Sequence, residues 1–378
     1  MENFNTGHLV KQAGLKKKNI LFVGAFNNNT LDGSTGGQLF ACTSLLDSEL
    51  SLLYNFIKID STADTVPAPP VYKRLLKAAS RVFKLIFNLI FKRIDTVLIF
   101  SSAKLSFIEK GMMAFLSRVF KKRVVFAPRS GLSLEDYESS RFMRWFMPQV
   151  ITSSTFIICQ GEIWKEFYKK ISKVNDDKFI VINNWIDVKD YTESIKPSND
   201  KNKIPVIIYI GWLEEHKGIC DLLYSLKNLY DKGREFNCHI YGSGSLYRSC
   251  KNFIEANFTN DCVSLRGWAS HKIKLKALCS ADIYVLPSHF EGFPNALLEA
   301  MASEIAVIAT NVGAVEDIVI DGFNGLLTES HNPAKLAQKI ESLILEPDKR
   351  AQYATEAKRT VFERFTVEIA IEKLKIIL

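Results

Sequence analysis

A helix that starts just after an apolar run, with carboxylates close to its first turn, is a place where phosphates and hydroxyls can be held together. Residues 283–302 have that form. The run Ile283–Pro287 leads into Ser288-His289-Phe290-Glu291-Gly292-Phe293-Pro294, and then into Asn295-Ala296-Leu297-Leu298-Glu299-Ala300-Met301-Ala302. Proline suits the first turn of a helix, where its missing N–H costs nothing, and Gly292 lets backbone approach a ligand closely. The N–H groups of Asn295, Ala296 and Leu297 would then meet phosphate or sugar oxygens through aligned dipoles. Glu291 before the helix and Glu299 within it can each accept two hydrogen bonds from adjacent hydroxyls, as on a ribose or a hexose. Together they suggest a ligand with both phosphates and sugars. As a bare pair, the same spacing also arises by chance, with Glu299 a solvated helix residue.

Two cations could serve such a ligand. Lys217 closes the segment Gly211-Trp212-Leu213-Glu214-Glu215-His216-Lys217-Gly218, where a strand gives way to a helix and a point charge can neutralise a diphosphate. Taken alone, it reads rather as a surface lysine beside a helix-starting turn. Arg129 follows the run Val124–Pro128 and could pair bidentately with a phosphate, or lie on the surface. Gly36-Gly37 end a Gly/Asn/Ser-rich loop. The sequence has no Asp-x-Asp motif and no His/Cys ligand cluster, so no metal is expected.

These residues must be positioned by alternating elements. Ile20–Phe26, Leu52–Ile59, Thr96–Phe100, Val124–Pro128, Phe156–Cys159 and Phe179–Asn183 read as strands, with helical patterns such as Gly37–Asp47 and Leu105–Phe120 between them. The runs are almost continuously apolar, which suits parallel strands buried on both faces. After the polar stretch Lys196–Asn202 the pattern restarts with Val206–Ile210, Phe236–Tyr241, Val263–Leu265, Ile283–Pro287 and Ala306–Thr310. The expectation is therefore an α/β protein of two Rossmann-like, doubly wound domains facing across a cleft. Residues 1–195 form the first, 196–203 the linker and 204–378 the second. The helical pattern 365–378, with Val367, Ile371, Leu374 and Leu378 on one side, either ends the second domain or crosses back to the first.

In this order the motifs resemble the retaining family-4 glycosyltransferases of the GT-B fold. The residues that carry the resemblance are Gly211 with Lys217-Gly218, Gly242-Ser243-Gly244, Gly267, Pro287-Ser288 with Glu291-Gly292-Phe293-Pro294, Glu299-Ala300-Met301-Ala302, Gly313 and Asp321-Gly322-Phe323-Asn324-Gly325-Leu326. The likeness covers nearly the whole chain, but its specificity lies in the second half. It implies that Glu299 binds the nucleotide ribose. Glu291 and the stretch Phe293, Pro294, Asn295 and Ala296 would hold donor sugar and diphosphate. Lys217 would stabilise the departing diphosphate, with Gly211 lining the donor site and Gly36 and Gly37 matching the family's glycine pair near the phosphates. A nucleotide-diphosphate sugar is then a substrate, with no cofactor, and a glycan or lipid-linked glycan of cell-surface polysaccharide biosynthesis is the acceptor. Two positions depart from the pattern: Trp212 stands where an arginine is common, and the first half lacks the usual histidine. A nucleotide-sugar epimerase or hydrolase of the same fold, or a non-catalytic scaffold, are the competing readings.

The remaining composition sets bounds. The chain has 378 residues, 47% hydrophobic and 24% charged, with a net charge of +8, as expected of an ordinary globular protein with an anionic partner. No run of about 20 apolar residues marks a membrane span, and Met1 to Asn19 does not read as a secretory leader. The seven cysteines lack a Cys-x-x-Cys pair and read as buried thiols of a reducing compartment. Between Val71 and Arg93 there are seven cations and no acid. Lys73, Lys77, Arg81, Lys84, Asn88 and Lys92 make one polar stripe, opposite Leu75, Leu76, Phe83 and Ile90. That is the pattern of a helix on an anionic membrane surface, with Lys77, Arg81 and Lys84 facing the lipid, or of a core helix with a solvated face. No stacking platform or nucleic-acid motif accompanies the charge. The expected location is the cytoplasm, at the inner face of its membrane.

Overall fold

A computed structural model of the chain describes residues 17–27, 37–62, 70–192 and 204–378. They form two compact units. The first comprises residues up to Asn183 together with Val367–Leu378, and the second Asn184–Thr366.

In the first unit the order is β1 (Lys18–Gly24), α1 (Gly37–Leu46), α2 (Leu50–Leu53), β2 (Tyr54–Asp60), α3 (Val71–Phe91), β3 (Thr96–Ser101), α4 (Leu105–Val119), β4 (Arg123–Pro128), α5 (Ser133–Ser139), α6 (Arg141–Ser153), β5 (Phe156–Cys159), α7 (Glu162–Ser172) and β6 (Phe179–Val181). The strands pair in parallel in the order β2-β1-β3-β4-β5-β6. The second unit runs α8 (Lys189–Thr192), β7 (Val206–Ile210), α9 (Ile219–Asp231), β8 (Asn237–Tyr241), α10 (Tyr247–Asn257), β9 (Val263–Gly267), α11 (His271–Cys279), β10 (Ile283–Leu286), α12 (Asn295–Ala302), β11 (Ala306–Thr310), β12 (Leu326–Thr328), α13 (Pro333–Leu345) and α14 (Pro347–Arg364). Its sheet is again all parallel, in the order β12-β11-β10-β7-β8-β9. The strands expected from apolar runs are present, and those in the middle of each sheet, such as β3, β10 and β11, bury every residue, as two helix-covered faces require.

The strand order of each sheet reverses once, between β1 and β3 in the first and between β7 and β10 in the second. In doubly wound sheets that reversal opens a crevice beyond the carboxyl ends of the two strands. In the second unit those ends are where Gly211–Gly218 and Pro287–Pro294 begin.

Some boundaries differ from the sequence expectation. The first part of the run Leu52–Ile59 is taken by the short helix α2, so β2 starts at Tyr54. Strand β12 has only three residues, too few for an apolar run to reveal. The expected linker at 196–203 falls in a stretch, 193–203, outside the described residues. Packing changes hands earlier, at Asn184. The Asn184 amide donates to Phe293 O at 2.7 Å and to Asn295 Oδ1 at 2.6 Å, and Ile186 pairs with Thr366, which ties 184–192 to the second unit.

The last helix, α15 (Val367–Ile377), packs with the first unit. Val367, Ile371, Leu374 and Leu378 are all buried. Lys18 Nζ donates to Leu378 O at 3.2 Å, and Lys373 Nζ donates to Val181 O at 3.1 Å.

Five of the seven cysteines are buried, and burial pushes the Cys42 thiol up to about 12, so it stays protonated and unreactive at neutral pH.

Candidate functional site

Two loops leave neighbouring strands of the second unit and are fastened to each other by backbone. After β7 the chain turns through Glu215–Lys217 to Gly218, which takes φ +66°. A Cβ there would lie 1.8 Å from Pro287 O, so only glycine lets the Lys217 turn close onto the end of β10. His289 N–H then donates to His216 O at 2.9 Å. On the far side of the β10 loop, Gly313 takes φ +57°, and a Cβ on it would lie 1.9 Å from Glu291 O. Ala314 N–H donates to Gly292 O at 3.1 Å.

Clamped in this way, the loops bring Lys217 Nζ to 2.7 Å from Glu291 Oε1, with the carboxylate only 10% exposed. The hydroxyl of Ser288, itself fully buried, donates to the same oxygen at 2.7 Å. Glu291 is therefore fixed by one cation and one hydroxyl. The Lys217 side chain is 22% exposed.

Helix α12 starts directly beyond. Pro294 is its N-cap residue, one position before the first turn in which it was expected, and has no side-chain group to cap with. A helix start leaves its first N–H groups without intrahelical partners, here those of Asn295 and Ala296, both half-buried. Phe293 is buried and its ring packs on Phe365 at 5.5 Å. One helical turn on, the Glu299 carboxylate meets Lys274 Nζ at 2.6 Å, each side chain nearly one-fifth exposed. The Lys217–Glu291 pair, the α12 start and Glu299 thus line the carboxyl edge of the second sheet.

Gly211 follows the last residue of β7 at a crowded point. A Cβ on it would lie 2.9 Å from the Tyr209 hydroxyl, and a Cβ on Gly242 would lie 2.0 Å from Gly211 O. Trp212 does not supply the missing cation. Its ring packs on Trp268, with centroids 4.9 Å apart, and its carbonyl accepts from the Tyr209 hydroxyl at 2.8 Å.

The other expected site residues lie in the first unit. Gly37 is the first residue of α1; Gly36 lies outside the described residues. Arg129 stands at the end of β4, its N–H donating to Ser101 O at 2.7 Å and its guanidinium over the Phe100 ring at 4.8 Å. Burial draws that guanidinium down to about 10, which leaves it cationic at neutral pH. Of the cations expected to face lipid, Lys77 and Lys84 are exposed. Arg81 is not: it turns inward and grips Glu109 with Nε at 2.6 Å and Nη2 at 3.0 Å.

Sequence reasoning missed Ser288, Asn184 and Lys274 as partners of Glu291, Asn295 and Glu299. Ser288 stood inside the quoted motif without a role. Asn184 and Lys274 are 111 and 25 residues from the side chains they hold, a pairing that no local spacing announces. One further group could hold a metal ion among the described residues: Asp221, His289 and His331, whose ligand atoms lie within 4.8 Å of one another. His289 Nε2 is 2.9 Å from Asp221 Oδ2, and its ring lies against that of His331, tilted by 31° with centroids 3.6 Å apart.

Residues 190–360 match the family described as Glycosyl transferases group 1. The matched segment contains Gly211, Lys217, Lys274, Ser288, Glu291 and Glu299. An uncharacterized glycosyltransferase of Methanocaldococcus jannaschii is 30% identical over 218 residues, covering 52% of this chain and 59% of that protein. The capsular polysaccharide biosynthesis glycosyltransferase CapM of Staphylococcus aureus is 32% identical over 171 residues, 45% of this chain and 44% of that one. The chain spans about half the length of the curated relatives it matches. The crystal structure of Anabaena HepE in complex with UDP superposes with a TM-score of 0.71 over 95% of this chain and 99% of that one, at 15% identity. That likeness establishes a shared two-unit α/β fold, the GT-B fold.

Proposed function

We propose that the chain is a retaining glycosyltransferase that needs no metal ion. It would move a sugar from a nucleotide-diphosphate donor to a glycan or lipid-linked glycan acceptor in surface-polysaccharide biosynthesis. The Lys217–Glu291 pair at 2.7 Å, set beside the start of α12, carries this reading: it offers a cation and aligned N–H groups where a diphosphate would leave, and a fixed carboxylate where sugar hydroxyls would sit. The family match of this segment and the UDP bound to HepE support a nucleotide donor. The name of CapM supports a polysaccharide product.

In this mechanism the bond between the anomeric carbon and the diphosphate oxygen breaks as negative charge builds on the leaving group. Lys217 and the N–H groups of Asn295 and Ala296 stabilise that charge in place of a divalent ion. The acceptor hydroxyl forms the new bond on the same face, and its proton passes to a diphosphate oxygen. Glu291 orients the sugar, and Glu299 holds the ribose. Arg129 and the pair Gly36 and Gly37 are assigned to phosphate or acceptor contacts. An acceptor carried on lipid places the working enzyme at a membrane surface; among the described residues no helix is long and apolar enough to cross one.

The test is a panel of nucleotide sugars incubated with and without membrane lipid extract. Acceptor-dependent nucleotide release with unchanged anomeric configuration is expected, at full rate in excess EDTA. An inverted product, or activity lost to EDTA and restored by a divalent ion, overturns the mechanism. Conversion without acceptor identifies an epimerase or hydrolase, and no turnover a scaffold. A narrower prediction concerns the ribose: Glu299→Gln is expected to weaken UDP binding about 10- to 100-fold by calorimetry, the worth of hydrogen bonds to a charged group. An unchanged Kd removes Glu299 from the donor site.

A further inference from the structure

Helix α3 is amphipathic in the reverse sense to a core helix. Its inward line is narrow: Leu85, Asn88 and Leu89 are its buried residues, and Arg81 reaches the same way to Glu109. The broad apolar side faces out. Tyr72, Leu76, Ala79, Phe83, Phe87 and Ile90 recur every three or four residues along one stripe, which a helix keeps on one face. Leu76 is 68% exposed and Phe83 70%. Lys73, Lys77 and Lys84 each follow a member of that stripe by one residue and so run along one flank of it. Residues 70–123 hold thirteen cations, against the two acids Asp95 and Glu109.

We infer that α3 is a membrane-docking surface, and that it inserts its apolar stripe between the lipids of an anionic bilayer while the flanking lysines meet the headgroups. Isolated exposed apolar residues are common, but a long stripe of them on a helix marks a contact surface. Charge complementarity selects the occupant. Lysines at the border of an apolar face are placed to snorkel to phosphates while their stems lie in the interface. This goes beyond the transfer reaction and corrects the mode of contact: Arg81 belongs to the protein's interior side, and insertion of aromatic and leucine side chains, rather than a cationic stripe lying flat, provides the hold.

The experiment is co-sedimentation of the full chain with vesicles of phosphatidylcholine alone and of phosphatidylcholine with about one-third phosphatidylglycerol. Strong binding to the anionic vesicles is expected, and weak binding to the neutral ones. The variant Leu76→Ser/Phe83→Ser/Phe87→Ser is expected to lose at least about 30-fold in vesicle affinity, with an unchanged circular-dichroism melt. Lys73→Glu/Lys77→Glu/Lys84→Glu is expected to abolish the preference for anionic lipid. Binding of UDP by calorimetry reports separately on the donor site, so failure of docking and failure of the transfer reading are told apart. Docking is overturned if the unaltered chain ignores anionic vesicles, or if the serine variant binds them as well as the parent. A serine variant that changes only the oligomeric state also overturns it, since the stripe then belongs to a second copy.

Discussion

Lys217→Ala is expected to lower kcat for sugar transfer by about 10²- to 10³-fold, the usual cost of removing one preorganised group aimed at developing charge. The effect should fall on kcat more than on KM, because the leaving diphosphate carries its extra charge in the transition state. Trp212 sharpens the expectation. Its ring lies against Trp268, so the position that often supplies a second cation adds no charge. Lys217→Arg keeps the charge but cannot keep the geometry, because Gly218 holds the turn hard against Pro287 O; partial recovery is expected, well below the parent. Glu291→Gln removes the ion-pair partner that holds Lys217 at 2.7 Å. Residues acting as a unit give non-additive losses, so the double variant should be little worse than Lys217→Ala. Steady-state kinetics of the parent and the four variants check this. A Lys217→Ala enzyme within threefold of the parent would mean that the charge on the leaving group is met elsewhere.

The placement of Glu291 and Glu299 was legible in sequence because both sit within one strand–loop–helix unit, where spacing fixes geometry. Lys217 was legible for the same reason, as the end of the segment after β7. The contacts that hold these groups were not. Asn184 and Lys274 come from distant segments, and such a hydrogen bond leaves no periodic trace; Ser288 is three residues from Glu291, but nothing in the spacing says which way its hydroxyl turns.

The helix from Val71 shows a different limit. Its periodicity put Arg81 and Asn88 in one stripe with Lys73, Lys77 and Lys84, but in the structure Arg81 and Asn88 turn inward while the lysines are exposed beside the apolar residues; periodicity says nothing of which line faces inward. That was settled by Arg81 pairing with Glu109 and by Leu85 and Leu89 packing inward. In the first unit, Asp60 was unmarked as well. Burial works against its ionisation, yet hydrogen bonds from Thr62, Phe26 N–H and Asn27 outweigh that and hold the carboxyl below its usual range, which joins the carboxyl ends of β1 and β2.

Gly313→Ala is expected to be, with Gly218→Ala, among the most damaging single-methyl changes at the site. Gly313 needs its left-handed φ of +57°, and a methyl there would lie 1.9 Å from Glu291 O and 2.8 Å from its carbonyl carbon, backbone atoms that cannot swing aside as a side chain does. Left-handed backbone costs an alanine roughly 1–2 kcal/mol, and relieving the overlap must push the 291–292 strand of the loop away. A total of about 3 kcal/mol or more is expected, which for a unit of this size lowers Tm by roughly 6–12 °C. The molecules that still fold should transfer sugar about 10²-fold more slowly, because a shift near 1 Å in Glu291 spoils its alignment with Lys217. Gly233→Ala is the matched control. It has φ +70° with nothing within 4 Å of the added methyl, so it bears the backbone strain alone and should lose a few degrees of Tm and no activity. If the two variants lost the same Tm and kept the same kcat, the contact between Gly313 and Glu291 would not be what positions the carboxylate.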